Sequence, residues 1–444
     1  SVSGYEIDNS LRLNDDDTPR FDKTLGTPTN TDKFTASFWF KKCKIAAAQT
    51  VFGYDSGGTA QSYITFTSDD KLEYYNRLGS GNVTQFTTNR LFRDVSAWYH
   101  IVVAVDSTDG TAGDRCKIYV NGVRETSFAT SNFADQNQNQ NLNSALAIRL
   151  FAWSSGEQVD GYISELHFID GAAKAPTDFG ETNNNGVWIP IDYSGTYGDN
   201  GYRFEFKQTG TGTNASGIGA DTSGETNHWA VTNLAATDVT TDTPTNNFCT
   251  FSPLQLTTGA VVLSEGNTLI TMDGAANYSG QHGTIGVSNG KWYWEMKAID
   301  SSVVMIGALT MNSTPRGDNT SDGSGNGMYY YYANTHYQSN ETTIRRSNAG
   351  NGSLGNSAVS GGSNSVSNLS DNDIVQIALD MDNNKIYFGL NGTFVNSSNP
   401  ADGTNSFTLH TDVSNPVSPY AGADGGQVSA NFGNPSFAIS SGNA

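Results

Sequence analysis

Apolar residues in this chain alternate with polar residues at a period of two, in many short runs. In one such run Phe34, Phe38 and Phe40 lie on one side, and Thr35 and Ser37 lie on the other. This alternation is typical of β-strands, because successive side chains point to opposite faces of a sheet. No segment of ordinary helix length repeats its apolar residues every 3.6 positions. The sequence therefore predicts an all-β protein with single helical turns at most.

The composition agrees with many short strands joined by tight turns. Charged residues make up only 15% of the chain, and much of its polarity comes from turn formers, including 48 glycines. Aromatic residues make up 11%, which is enough to build packed cores rather than a disordered chain. A chain of 444 residues is long enough for two or three domains.

The charge balance excludes several classes of partner. The chain has 24 basic and 44 acidic residues, a formal net charge of −20. Such a surface repels phosphate backbones and anionic membranes, so we expect no nucleic acid partner. No stretch is long and apolar enough for membrane insertion. The chain opens at Ser1 without a basic or apolar leader segment, and we expect it to use none.

Two hairpin signals divide the chain into lobes. Asn121-Gly122 and Asn391-Gly392 each follow an apolar strand that begins Lys-Ile-Tyr. Asn-Gly between two strands is the strongest short signal for a β-hairpin. The segment between the two lobes is rich in Gly, Thr, Asn and Asp and contains few large apolar side chains. We therefore predict lobes at 1–206 and 254–444, joined by a turn-rich connector at 207–253.

The first lobe resembles the laminin-G-like, concanavalin A-like lectin/glucanase domains. The segments that match are 34–40, 93–102, 117–123 and 161–171. The last lobe resembles SPRY domains, through 290–295, 306–307, 374–380, 385–388, 391–393, 431–433 and Phe437. These resemblances imply that each lobe is a concanavalin A-like jelly-roll β-sandwich. The resemblance to SPRY domains further implies that loops at one end of the last lobe bind partners.

The region around the connector resembles the extension that follows such domains in structural proteins of tailed phages, notably marine phages. The similar segments are 186–190, 200–206, 221–229 and 242–248. In that group the architecture is found in fibre, tail and head-decoration proteins. The resemblance implies a place on the virion surface.

An acid pair for glycan cleavage is incomplete. Glucanases of this superfold use Glu-x-Asp-x-x-Glu on one strand, with one acid as nucleophile and one as proton donor. Glu6-Ile7-Asp8 begins this pattern, but Leu11 stands where the second Glu is needed. No nucleophile elbow or phosphate-binding loop is present either. We therefore predict that the protein is not an enzyme.

Two aspartate-rich loops are candidate calcium sites, because carboxylates in a rim loop can supply the oxygen ligands of Ca²⁺. The first contains Asp106, Asp109 and Asp114, and the second contains Asp380 and Asp382. The alternative is that these aspartates only begin turns, which their side chains favour. Calcium is the one cofactor that the sequence suggests. The three cysteines are far apart and predict neither disulfides nor a zinc site.

A run of tyrosines is the candidate ligand-binding site of the last lobe. It comprises Tyr329, Tyr331 and Tyr332, with His336 and Tyr337 close behind. Exposed tyrosines stack on sugars and form interface hot spots. The alternative is an ordinary strand with one face buried, which would expose only alternate tyrosines.

These observations lead to one hypothesis and two alternatives. The first is a non-enzymatic virion surface protein, as a capsid decoration, capsid fibre or tail fibre component, that binds host-surface or environmental glycans through many copies. Its partners would be other virion proteins and further copies of itself. The second is a purely structural protein that decorates or cements the particle. The third is a bacterial surface adhesin or a component of an extracellular filament.

Overall fold

The protein forms two compact units, Ser1–Asn247 and Phe248–Ala444. The computed structural model describes residues 4–79, 81, 83–153, 156–254, 261–272, 279–311, 328–334, 341–346, 369–409, 415–423, 425–434 and 437. All pairs of strands in these ranges are antiparallel, and the helical segments are single 3-10 turns, so the all-β prediction is confirmed. Within the same ranges no helix is both long and apolar enough to cross a membrane.

The described part of the first unit contains eighteen strands. They are β1 (Ser10–Leu13), β2 (Arg20–Thr24), β3 (Lys33–Lys42), β4 (Gln49–Asp55), β5 (Gln61–Phe66), β6 (Lys71–Arg77), β7 (Val83–Leu91), β8 (Tyr99–Asp106), β9 (Cys116–Val120), β10 (Val123–Arg124), β11 (Phe128–Asn132), β12 (Ala147–Leu150), β13 (Gly161–Asp170), β14 (Gly180–Thr182), β15 (Trp188–Pro190), β16 (Tyr202–Phe204), β17 (Ala230–Thr232) and β18 (Val239–Thr240). Its 3-10 turns are Asp15–Asp17, Ala112–Asp114, Asn141–Asn143, Pro176–Asp178 and Ala236–Asp238.

Two eight-stranded sheets and a small hairpin, β14-β15, form this unit. Sheet 1 has the order β10-β9-β8-β3-β13-β1-β18, with β16 also paired to β13, and sheet 2 has the order β11-β7-β6-β5-β4-β12-β2-β17. Side chains from both sheets share one core, in which Phe38 of sheet 1 lies against Phe52 of sheet 2. The alternation seen in the sequence follows from this arrangement, because only one face of each strand reaches the shared core.

The structure draws most of the predicted connector into the first unit. β17 pairs with β2 and β18 pairs with β1, and Trp229 is fully buried in the core between the sheets. Further on, Phe251 is fully buried in the core of the second unit. The boundary between the two units thus lies between Asn247 and Phe248, whereas the sequence suggested boundaries after 206 and 253. The physical reason is that two short strands and one large indole are enough to dock a polar segment.

The outer face of sheet 1 buries an ion pair. Lys41 and Asp242 lie 2.8 Å apart, with side chains 0% and 1% exposed. Asp242 also accepts a hydrogen bond from the indole of Trp98 at 3.2 Å, and Lys41 donates to Asn247 at 2.8 Å. The end of the first unit is therefore attached to β3 through buried charge.

The second unit contains the remaining strands. They are β19 (Val261–Ser264), β20 (Leu269–Met272), β21 (Ser279–His282), β22 (Lys291–Asp300), β23 (Val303–Thr310), β24 (Met328–Asn334), β25 (Glu341–Arg346), β26 (Ile374–Asp380), β27 (Lys385–Leu390), β28 (Thr393–Phe394), β29 (Phe407–Thr408), β30 (Val417–Ala423) and β31 (Gln427–Asn431), with a 3-10 turn at Val395–Ser397.

These strands form sheet 3, with the order β19-β20-β31-β22-β26-β27-β28 and β29 beside β27, and sheet 4, with the order β21-β30-β23-β24-β25. Met296 and Ile377 of sheet 3 share a core with Val304 and Ile306 of sheet 4. Both Asn-Gly hairpins occur as predicted, because Asn and Gly both adopt the positive φ angles that a two-residue turn needs: 49° and 78° at Asn121-Gly122, and 48° and 88° at Asn391-Gly392.

Candidate functional site

A row of side chains crosses the outer face of sheet 2. The residues of the row stand directly opposite one another on five neighbouring strands, so they share one face. With strands about 4.8 Å apart, the row extends for about 19 Å. In order, its members are Asp22, Arg149, Gly53, Tyr63 and Tyr75.

Trp153 lies over the glycine in the middle of this row. A Cβ atom on Gly53 would lie 3.1 Å from Cε3 of Trp153 and 3.3 Å from the carbonyl oxygen of Ala152. The backbone N–H of Trp153 donates to the carbonyl of Gly156 at 2.8 Å, which helps to fix the position of Trp153. The absence of a side chain at Gly53 therefore lets the partly buried indole of Trp153 pack against the sheet.

Beside Trp153, the stacked rings of Tyr63 and Tyr75 form a fixed aromatic surface, which we call the Tyr63–Tyr75 ledge. Tyr63 and Tyr75 are stacked with centroids 4.9 Å apart and planes 6° apart, and Trp153 meets Tyr63 edge-on at 5.2 Å. The Tyr63 hydroxyl donates to Glu73 at 3.0 Å. Burial, with the neighbouring Glu73 carboxylate, raises the pKa of Tyr63, so the phenol stays a hydrogen-bond donor. The ring orientation is thus set before any ligand arrives.

On the other side of Trp153 is a cavity of about 460 Å³. Its polar walls include Asp22, Asp55 and Arg149. Asp22 accepts hydrogen bonds from Arg149 at 2.8 Å and from Arg20 at 2.9 Å, which hold the carboxylate in place. We call this cavity together with Trp153, Tyr63 and Tyr75 the Trp153 cleft. An aromatic surface next to fixed carboxylates can stack an apolar ring face and accept hydrogen bonds from hydroxyl groups.

The second unit has a groove of a different chemical kind, of about 570 Å³, on sheet 3. Trp292 and Tyr293 are 46% and 43% exposed there. The Trp292 indole donates to the carbonyl of Asn289 at 2.7 Å, and the Tyr293 hydroxyl donates to Glu295 at 2.6 Å. Their polar atoms are thus bonded within the unit, and the groove presents mainly ring surface.

The tyrosine run lies on an inner strand of sheet 4. β24 pairs with β23 and β25, and the backbone of Tyr331 stands opposite Ile306 and Ile344. Tyr329 and Tyr332 belong to the same strand, while His336 and Tyr337 lie outside the described residues. Ligand binding by these five residues stays a prediction.

The predicted calcium loops are closed by ion pairs. Asp106 lies 2.9 Å from Lys33, and Asp114 lies 3.0 Å from Arg124. Burial alone would raise the pKa of Asp106, but hydrogen bonds from Thr108 and Lys33 outweigh it and lower the pKa. Asp109 accepts from the backbone of Thr111 at 2.8 Å, which is turn chemistry.

The loop of the second unit is similar. Asp380 accepts from Asn383 and lies 3.5 Å from Lys291, and Asp382 accepts from the backbone of Gly290 at 2.8 Å. Among the described residues, no group of three or more His, Cys, Asp and Glu side chains is placed to hold a metal. Calcium at either loop stays a prediction.

Reasoning from the sequence missed the Trp153 cleft. Glu6 and Asp8 lie exposed in the segment that precedes β1, and neither belongs to a strand. A signal for the cleft was present in Phe52-Gly53-Tyr54, where a glycine interrupts an apolar strand. Such a glycine indicates close approach of another group, but not which group approaches.

Comparisons with known proteins agree with this architecture. Residues 15–177 match the family model of the concanavalin A-like lectin/glucanases superfamily. Residues 291–435 match the SPRY domain model. The two predicted domain types are therefore found. No curated protein matches the chain.

Several solved structures are similar to parts of the chain at low identity. The SPRY domain of human HERC1 is 14% identical, with 39% of this chain and 92% of that chain covered and a TM-score of 0.27. A protein from Bacteroides ovatus ATCC 8483, provisionally described as carbohydrate-binding, is 16% identical over 52% of this chain and 61% of its own, with a TM-score of 0.36. A heptameric SAP-like pentraxin from Limulus polyphemus is 15% identical over 38% and 80%, with a TM-score of 0.27.

Proposed function

We propose that the first unit binds glycans without cleaving them, and that the Trp153 cleft is the binding site. The observation that carries the proposal is the partly buried indole of Trp153, which lies over Gly53 between the Tyr63–Tyr75 ledge and a cavity with fixed carboxylates. Sugar rings have an apolar face and a hydroxyl-bearing edge. A site that binds them therefore needs an aromatic surface for the face and hydrogen-bond acceptors for the hydroxyl groups. The size of the cavity is in the range of small-ligand sites.

The arrangement favours binding over hydrolysis. Asp22 is held by two arginines, which suits an acceptor of hydrogen bonds. A glycosidase needs one carboxyl group that donates a proton and a second that attacks or activates water. The sequence pattern that supplies such a pair in glucanases stops at Asp8.

We further propose that the protein displays this cleft on the surface of a virus particle, as a capsid decoration or fibre or as a tail fibre component. The support is the resemblance of 186–190, 200–206, 221–229 and 242–248 to phage structural proteins. Many copies on one particle would convert weak single-site affinity into strong attachment. Its neighbours would be other virion proteins and further copies of the chain.

A glycan array tests the binding function directly. We expect the full-length protein to bind a defined set of glycans, with and without Ca²⁺, and a Trp153→Ala variant to lose that set. If the folded wild-type protein bound no glycan on the array, either with or without Ca²⁺, the proposal would be wrong. Mass spectrometry of purified particles tests the location, and absence of the chain from every particle fraction would contradict a virion role.

A purely structural role in decorating the particle is the second candidate, and the exposed Trp292–Tyr293 pair favours it. Large exposed aromatic residues in a groove are common anchors of protein interfaces. If this role is correct, a double Trp292→Ala, Tyr293→Ala variant should lose incorporation into particles. The glycan array of that variant should match the wild type.

Enlarging Gly53 should weaken glycan binding while leaving the fold intact. In a Gly53→Val variant the new side chain would push against Trp153, because an added Cβ would already lie 3.1 Å from the indole. We expect about a tenfold loss of affinity, equal to about 1.4 kcal/mol, measured by isothermal titration calorimetry. Gly110→Val is the control, because nothing lies within 4 Å of its added Cβ. Unchanged affinity in Gly53→Val would place the ligand away from Trp153.

A further inference from the structure

A histidine of β8 and a tryptophan of the β14–β15 hairpin meet on the outer face of sheet 1. The Trp188 indole N–H donates to Nδ1 of His100 at 3.0 Å. Because an indole N–H can only donate, Nδ1 must accept, and the ring proton of neutral His100 lies on Nε2. Nε2 lies 2.9 Å from the hydroxyl of Ser37, which accepts this second hydrogen bond. The contact with Trp188 therefore requires the neutral form of His100.

The Trp188 indole fits closely against the sheet. A side chain on Gly122, in the turn after β9, or on Gly180 of the hairpin would collide with its rings. Residues 184–187, at the tip of the hairpin, are exposed. At the base of the hairpin, Phe179 is buried in an aromatic cluster on the same sheet face. Trp188 thus holds the tip against sheet 1, while the base is anchored separately.

The surroundings of His100 disfavour its charged form. The ring is 1% exposed, and burial, with a smaller effect of the nearby His167, lowers the pKa of His100 from 6.5 to about 3. His167 itself lies 3.2 Å from Glu165 and 2.9 Å from the Tyr197 hydroxyl. Arg203 lies 3.0 Å from the same Glu165 oxygen, so that carboxylate is already paired. A proton on His100 would therefore add uncompensated positive charge. The groups packed against His100 come from β3, β13, the turn after β9 and the hairpin, and they are Ser37, Trp39, His167, Asn121, Phe179 and Trp188.

We propose that His100 and Trp188 form an acid-sensitive latch, which frees the tip of the β14–β15 hairpin when His100 takes up a proton. Protonation places an N–H on Nδ1 that faces the indole N–H, so the two donors repel each other. Once the indole leaves, the imidazolium reaches water, and the aromatic cluster around Trp39 that Trp188 covers becomes exposed. The closed state is fully favoured above pH 6.5 and loses about tenfold per pH unit from there towards pH 3. The latch lies on sheet 1 and does not depend on the Trp153 cleft of sheet 2.

Hydrogen exchange of the Trp188 indole N–H tests the proposal, measured by NMR on the full-length ¹⁵N-labelled protein. The signal is assigned by its absence from a Trp188→Phe variant. His100→Gln is the matched control, because its amide can accept from Trp188 and donate to Ser37 but does not titrate. Comparison at the same pH also cancels the intrinsic pH dependence of exchange. Between about pH 7.5 and about pH 5, exchange in the wild type should rise about 30-fold relative to His100→Gln, since the lower pH is about 1.5 units below the ordinary histidine pKa.

Three outcomes would overturn the latch. The first is an equal change in the wild type and His100→Gln, and the second is a response that His167→Gln abolishes, which would assign the titration to the other histidine. The third is parallel exchange of the buried β8 amides, which would show unfolding of the whole unit. If His100→Gln does not fold, the imidazole ¹⁵N shifts of the wild type decide: Nδ1 of His100 should carry no proton at neutral pH, and a proton found there would contradict the proposal.

Discussion

Trp153→Ala should lower the affinity of the full-length protein for its glycan by about 30-fold. The indole supplies exposed ring surface beside the cavity, and truncation of a central aromatic anchor costs about 2 kcal/mol, which corresponds to that ratio. Calorimetry with a glycan identified on the array measures the effect. Trp153→Phe should retain part of the affinity, because a smaller ring still stacks.

Trp292→Ala is a matched control for this experiment. It removes the same side-chain type from an exposed position, but in the second unit. We expect its glycan affinity to equal that of the wild type. If Trp292→Ala were the variant that lost glycan binding, the site would belong to the groove on sheet 3 rather than to the Trp153 cleft.

Asp242→Ala should destabilise the first unit by about 3–5 kcal/mol, the usual cost of leaving one partner of a buried ion pair uncompensated. Lys41 would keep a buried charge, and the Trp98 indole would lose its acceptor. Urea unfolding, followed separately for the transitions of the two units, measures the loss. We expect the transition of the second unit to stay in place.

Two comparisons sharpen this test. Asp114→Ala removes an ion pair at the surface, to Arg124, and should leave the transition nearly unchanged. A double Lys41→Met, Asp242→Leu variant should recover much of the loss, because an apolar pair avoids the cost of burying charge. Equal destabilisation by Asp114→Ala and Asp242→Ala would contradict the role assigned to the buried pair.

Local signals were sufficient to predict much of the fold. The alternation in β3 predicted which side chains face the core, and Asn121-Gly122 predicted a hairpin, because both depend on residues adjacent in sequence. The connector was harder to assign. Its low apolar content predicted a turn-rich connector, but the burial of Trp229 depends on space left by strands about 200 residues earlier in the chain.

Composition and the period of two are local properties, and they were enough to predict an all-β chain with a strong negative charge. The two sandwich types were predicted from the resemblance to known families. These local properties could not place Asp22, Arg149, Gly53 and Tyr63 in one row, which the folded chain does. Alternation tells which side chains share a face of one strand. Which strands become neighbours, and in what register, depends on packing between distant parts of the chain.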